Sequence, residues 1–149
     1  MKGIRTLEAP KLLGIIWPFV AVVIFQVLLG SLSLYTLSAV RAYVAGESLW
    51  SKAQKDAIYY LNLYAESPSE RIFQRYRQAI AVPQGDHELR LALDQLNPDL
   101  DAARAGILQG GNHPDDVTRI IWFYRNFRHI SYMETAISYW DIGDDYLRQ

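Results

Sequence analysis

Cysteine is absent from all 149 residues. Its absence excludes disulfide staples, a thiolate nucleophile and any zinc site built on sulfur, while leaving the compartment open. A surplus of charge is also missing. The net charge of −1 removes the basic excess on which nucleic-acid binding depends, and the half-apolar composition is not that of a disordered chain. The motifs that announce chemistry are missing too. There is no P-loop, no glycine-rich dinucleotide turn, no H-E-x-x-H and no G-x-S-x-G. Histidine is scarce, and His87, His113 and His129 lack the spacing of metal ligands. Asp115/Asp116 and Asp144/Asp145 are adjacent in sequence, so on a helix each pair diverges by about 100° and cannot share a proton as an acid/base couple. The segment is therefore expected to be no enzyme, with no catalytic residue, no metal ligand and no cofactor.

The most telling absence is local. From Leu12 to Val40, "LLGIIWPFVAVVIFQVLLGSLSLYTLSAV", no charged residue occurs. A helix needs about 20 apolar residues to cross the hydrocarbon of a bilayer, and this run supplies them, with Trp17 and Tyr35 near its ends where amphipathic rings favour the headgroups. A cleavable signal peptide has a shorter apolar region and a small-residue cleavage site, which "TLSAVRA" matches poorly. A core helix of a small soluble domain would not stay uncharged for so long. Lys2, Arg5 and Lys11 against Glu8 predict a cytoplasmic N-terminus, which puts the rest outside the cytoplasm, with the span in the inner membrane. Beyond residue 40 the chain carries 12 Lys/Arg against 15 Asp/Glu, a mildly acidic body.

Helix signals recur throughout that body, and no stretch sustains the two-residue alternation of a strand. Tyr43, Trp50, Ala53, Ala57, Tyr60 and Tyr64 form the seam of a helix leaving the membrane, interrupted by a polar slot at Gly46 and Glu47. Ser67-Pro68-Ser69-Glu70 starts a second helix bearing Ile72, Phe73, Tyr76 and Ile80, which Pro83 is expected to end at Val82. Asp86 then caps a short third helix with Leu89, Leu93 and Leu96, and Asn97-Pro98-Asp99 opens a fourth with Leu100, Ile107 and Leu108.

The run "GGNHPDD", 110–116, poses a choice between a phosphate or metal site and a hinge. Each residue has a role in a hinge: a left-handed glycine to end one helix, Asn112 or His113 to cap the next, Pro114 in its first turn, and Asp115 and Asp116 facing its positive end. Two aspartates repel phosphate, and one histidine is thin for zinc, so the hinge is preferred. From Pro114 a single long helix is expected, bent near His129, although Ser131-x-x-Glu134 could restart one. The chain stops in mid-pattern at "DDYLRQ", as expected where a second span follows.

Aromatic residues are in excess, with ten Tyr and four Trp. Packing and membrane anchoring account for many such rings. A cleft between helices is the sharper reading, in which rings beside Arg119 or Arg125 hold a small anionic or aromatic ligand. The candidate ligand-binding residues are Trp50, Tyr60, Arg119, Tyr124 and Trp140.

Three stretches, "SLYTLSAVRAYVAGESLWSKAQKDAIYYL", "AVPQGDHELRLALDQLNPDLDAARAGILQGGNHPDD" and "IIWFYRNFRHISYMETAISYWDIGDDYL", resemble the N-terminal input segment of bacterial two-span membrane signalling proteins. These feed GGDEF/EAL cyclic-di-GMP enzymes or, less closely, sensor histidine kinases. The resemblance implies an all-α protein, in which an N-terminal transmembrane helix continues into an extracytoplasmic (periplasmic) antiparallel helical bundle. The organisation expected is a cytoplasmic tail at 1–11, a span at 12–36 and a sensor domain at 37–149. The implied partners are the lipid bilayer, a second copy paired through the Tyr43–Tyr64 seam, and a small-molecule ligand or a periplasmic protein. The output activity, diguanylate cyclase or phosphodiesterase, would lie outside this chain. A single-span anchored scaffold is the alternative.

Overall fold

The computed structural model describes residues 9–148, with side chains over 13–143. The expectations placed on Lys2, Arg5, Glu8, Lys11, Asp144, Asp145 and Leu147 lie outside the described side chains. All regular structure among the described residues is helical, with no strand: α1 (Ala9–Glu66), α2 (Glu70–Asp94), α3 (Leu100–Gln109), a 3-10 turn (Pro114–Asp116), α4 (Val117–Phe127) and α5 (Ser131–Arg148). The chain divides into two compact units, Met1–Leu37 and Ser38–Gln149.

The first unit contributes the apolar half of α1. Residues 13–37 of a helix measure about 37 Å, more than the ~30 Å of bilayer hydrocarbon. None of the most apolar window is covered by protein, which sets it apart from the core helix of a soluble domain. Leu13, Phe19, Phe25 and Leu34 are each at least 65% exposed. Ser33 and Thr36 donate their hydroxyls to the carbonyls of Leu29 and Leu32, so neither presents an unsatisfied donor on this apolar surface. Pro18 lies in the interior of α1.

The second unit is held together by small residues. Along α1, Ala39, Ala42, Gly46, Ala53 and Ala57 are buried, at three-, four- and seven-residue steps. Tyr43, Trp50 and Tyr60 flank that stripe, half-buried. Ala42 joins Leu89, Ala92 and Leu93 of α2, Ala103 and Ile107 of α3, and Val117, Ile120 and Tyr124 of α4 in one core. The rings of the expected dimer seam are turned inward. Tyr43 packs on Phe123 at 4.8 Å, Trp50 meets Trp140 at 6.5 Å, and Tyr64 meets Phe73 at 5.3 Å. Three rings of that seam thus have partners elsewhere in the chain, and Tyr43, Trp50, Tyr60 and Tyr64 are all half-buried.

Two helix boundaries differ from the sequence reading. Pro83 does not end a helix: α2 runs through it to Asp94, and the expected third helix is the second half of α2. A mid-helix proline costs about 3 kcal/mol, but Pro83 is fully buried and the neighbouring Gly85 lies against the backbone of α3, so packing outweighs propensity. Leu96, expected in the core, falls past the end of α2 and is wholly exposed. The single last helix is broken into α4 and α5 at Arg128–Ile130. Arg128 donates to the carboxylate of Asp94 and to the carbonyl of Leu93, pinning the end of α4 to the end of α2. Ser131-x-x-Glu134 then opens α5.

The caps follow the local chemistry. Ser69 accepts from the amide of Ile72 at the start of α2, and Asp99 accepts from those of Asp101 and Ala102 at the start of α3. The hinge after α3 is built as its residues suggest. Gly111 takes φ +80, His113 Nδ1 accepts from the Asp115 amide at 3.2 Å, and Pro114 begins the 3-10 turn.

Candidate functional site

Within the second unit, residues from four helices and the hinge surround one hollow. α1 supplies Tyr43, Gly46, Glu47 and Trp50, α2 supplies Asp86, Leu89 and Arg90, and the hinge supplies Asn112. Ile120 and Tyr124 of α4 and Trp140 of α5 complete the wall. The hollow is about 460 Å³ out to its open mouth, with a cavity of about 40 Å³ inside. Such a cavity holds little more than water.

The polar slot on α1 now has an explanation. A β-carbon at position 46 would lie 2.8 Å from the Asn112 side-chain oxygen, so glycine makes room for the hinge. Asn112 in turn donates to the Ile107 carbonyl, closing off α3. The hinge is thus punctuation, as read, but it also furnishes one wall of the hollow.

Arg90 is the charged centre. It is 6% exposed, its Nε lies 3.6 Å from an oxygen of Asp141 on α5, and its guanidinium carbon lies 5.9 Å from the Trp140 ring. A buried guanidinium is tolerated when it is paired and stacked in this way. Trp50 provides a different feature. Its indole Nε1 is buried and has no hydrogen-bond acceptor. Gly143 lies against the same indole, where any β-carbon would sit in ordinary contact at 3.6 Å.

The tyrosines record how dry the wall is. Burial pushes the Tyr43 hydroxyl well above its ordinary value of 10.0, with the charges of Tyr124, Glu47 and Asp86 adding to the rise and Arg90 opposing it. Burial likewise raises Tyr124 to about 12, helped by the carboxylate of Asp94, which accepts from its hydroxyl at 3.3 Å. Both groups stay neutral donors across the physiological range.

Of the five residues singled out from sequence, Trp50, Tyr124 and Trp140 come together in this hollow and Tyr60 and Arg119 do not. Tyr60 sits edge-on to Tyr59 at 5.2 Å. Arg119 donates to the carbonyl of Asp115 and the carboxylate of Asp116 on its own turn. Arg125 lines a separate open groove with Arg104 and Trp122. The cation beside the rings is Arg90, which the sequence reading passed over. A signal was there: Tyr76, Ile80, Pro83, His87 and Arg90 follow alternating four- and three-residue steps, visible once α2 is not stopped at Pro83. Tyr43 had been assigned to a dimer seam and Asp86 to a cap.

Among the described residues no three His, Asp or Glu side chains gather to hold a metal ion. No protein-family model, curated protein or solved structure matches the chain.

Proposed function

We propose that this chain is the input module of a bacterial transmembrane signalling protein. In this reading the apolar half of α1 crosses the inner membrane with its N-terminus in the cytoplasm. The remaining helices form an antiparallel bundle on the periplasmic side, and binding in the Tyr43–Trp140 hollow alters the output. The observation that carries the proposal is the continuity of α1. One unbroken helix, Ala9–Glu66, bears the uncovered apolar stretch and then supplies Tyr43, Gly46, Glu47 and Trp50 to the hollow. A ligand touching those residues acts on the helix that enters the bilayer, and displacements of an ångström or two are enough for such transitions. The resemblance to segments preceding GGDEF/EAL enzymes supports a diguanylate cyclase or phosphodiesterase as the output, with two copies acting together. In this reading the two copies pair along the Tyr43–Tyr64 stretch of α1, whose rings are half-buried by the chain's own helices.

The absence of cysteine gives a clean test of topology. Single substitutions Lys2→Cys and Ser48→Cys are made in the full chain, and intact cells are treated with a membrane-impermeant maleimide. The proposal expects the protein in the membrane fraction, Ser48→Cys labelled in intact cells once the outer membrane is permeabilised, and Lys2→Cys labelled only after lysis. The reverse pattern, or recovery in the soluble fraction without detergent, overturns it.

A further inference from the structure

Gln26 is the middle residue of the uncharged run Leu12–Val40, with residues 12–25 before it and 27–40 after it, and it is the one primary amide in that run. The helix that carries it is uncovered along its most apolar window, and Gln26 is exposed with it. Ser33 and Thr36 satisfy their hydroxyls on carbonyls of their own helix. Among the described residues, nothing donates to or accepts from the Gln26 carboxamide. From position 26 the helix runs about 20 Å to residue 13 and about 17 Å to residue 37, so the side chain is too short to carry its amide to the headgroups. An amide without a partner is costly in hydrocarbon, and polar side chains inside spans are met by a neighbouring helix.

The surroundings of Gln26 on its helix suit a close neighbour. At about 100° per residue, Phe19, Val23, Gly30, Ser33 and Leu37 all fall within about 60° of Gln26, on one face. A β-carbon at Gly30 would meet nothing within 4 Å, and Phe19 and Leu37 are 72% and 66% exposed. Small residues beside a polar one let two spans approach closely enough to hydrogen-bond.

The occupant of this face has to present a hydrogen-bonding group at the same depth in the bilayer. A second copy inserted in the same orientation does so, because its residue 26 lies at the same height. A carboxamide is both donor and acceptor, so two of them complement each other. A two-fold axis between parallel spans then lets each donate once and accept once. We infer that Gln26 joins two copies of the chain within the lipid: the two carboxamides hydrogen-bond reciprocally, and Gly30 and Ser33 of each span face the other. This pairing rests on the reading of α1 as a membrane span. It gives the two copies a contact inside the bilayer, on a part of α1 separate from the Tyr43–Tyr64 stretch.

The test uses the full chain in membrane vesicles from cells that express it, and the lack of native cysteine makes single thiols unambiguous. Val23→Cys and Ser33→Cys place a thiol on the Gln26 face, and Ile24→Cys and Leu28→Cys place one on the opposite face. After mild oxidation, non-reducing electrophoresis should show a product of twice the chain mass for the first two and little for the others. Adding Gln26→Leu to Ser33→Cys should lower that product, and adding Gln26→Asn instead should keep most of it. In liposomes of graded lipid-to-protein ratio, energy transfer between labelled copies should show Gln26→Leu associating about tenfold or more weakly, with the far-ultraviolet circular dichroism unchanged. Equal cross-linking on both faces, none on the Gln26 face, a product of another mass, or undiminished association of Gln26→Leu overturns the pairing. Failure of the span itself looks different, since the chain is then recovered in the supernatant without detergent. A membrane-bound chain that stays single loses only the Gln26 contact, and a chain that pairs but labels with inverted topology loses only the sensor reading.

Discussion

Gly85 and Gly106 meet backbone to backbone where α2 crosses α3: a β-carbon on either would fall 2.5 Å from the carbonyl oxygen of the other. On an isolated helix, replacing glycine by alanine stabilises by about 1 kcal/mol. Here the methyl group has no space, and the atoms it meets are backbone, which cannot swing aside. Gly106→Ala is expected to lower stability by about 1–3 kcal/mol, the usual cost of overpacking. Gly30→Ala, where nothing lies within 4 Å, should leave the melting of the body unchanged. Thermal unfolding followed by circular dichroism distinguishes the two.

The raised tyrosines predict alkaline sensitivity with a definite sign. Their folded values exceed the ordinary 10.0, so the folded state holds its protons longer than the unfolded one. Their contribution is complete below pH 10 and is lost as pH climbs through the folded values. For Tyr124, with its value of about 12, the loss is on the order of 3 kcal/mol. Tyrosinate absorbance should show two late-titrating hydroxyls in the folded protein. Tyr124→Phe should remove one of them and lessen the fall in stability between pH 10 and pH 12.

Asp99 caps α3 through two backbone amides. Asp99→Ala should cost about 1 kcal/mol, and Asp99→Asn, which keeps the accepting oxygen, much less. Denaturant midpoints measured at one pH provide the check.

Leu96 and Ile107 offer a paired test of where α2 ends. Leu96 is fully exposed, and Leu96→Ser should change stability by less than about 0.5 kcal/mol. Ile107 is completely buried, and Ile107→Ala should cost about 2–5 kcal/mol. Equal costs at both positions would mean that Leu96 packs in the core.

Much of the architecture was legible before any coordinates. The uncharged run from Leu12, the helical character of the body, and the starts at Ser69, Asp99 and His113–Pro114 all follow from short-range chemistry. Charge against lipid, a side-chain oxygen against a free amide, and the missing N–H of proline each act within one helical turn. The candidate site was only half legible. Trp50, Tyr124 and Trp140 stand out by residue type, but Arg119 and Arg125, the cations expected beside them, lie elsewhere: Arg119 is held by the Asp115 carbonyl and the Asp116 carboxylate, and Arg125 lines a separate groove.

By itself the sequence determined which segments are helical and which one is suited to lipid, because those outcomes depend on neighbours a few residues away. Only the tertiary structure decided that α2 continues through Pro83, that the last helix breaks at Arg128, and that Arg90 stands beside Trp140. In each case the deciding partner is distant in the chain: Gly106 for the region of Pro83, Asp94 for Arg128, and Trp140 and Asp141 for Arg90. Packing and charge pairing over such separations outweigh local preferences of about 1–3 kcal/mol, and a helix's own periodicity shows which face is covered but not by which partner.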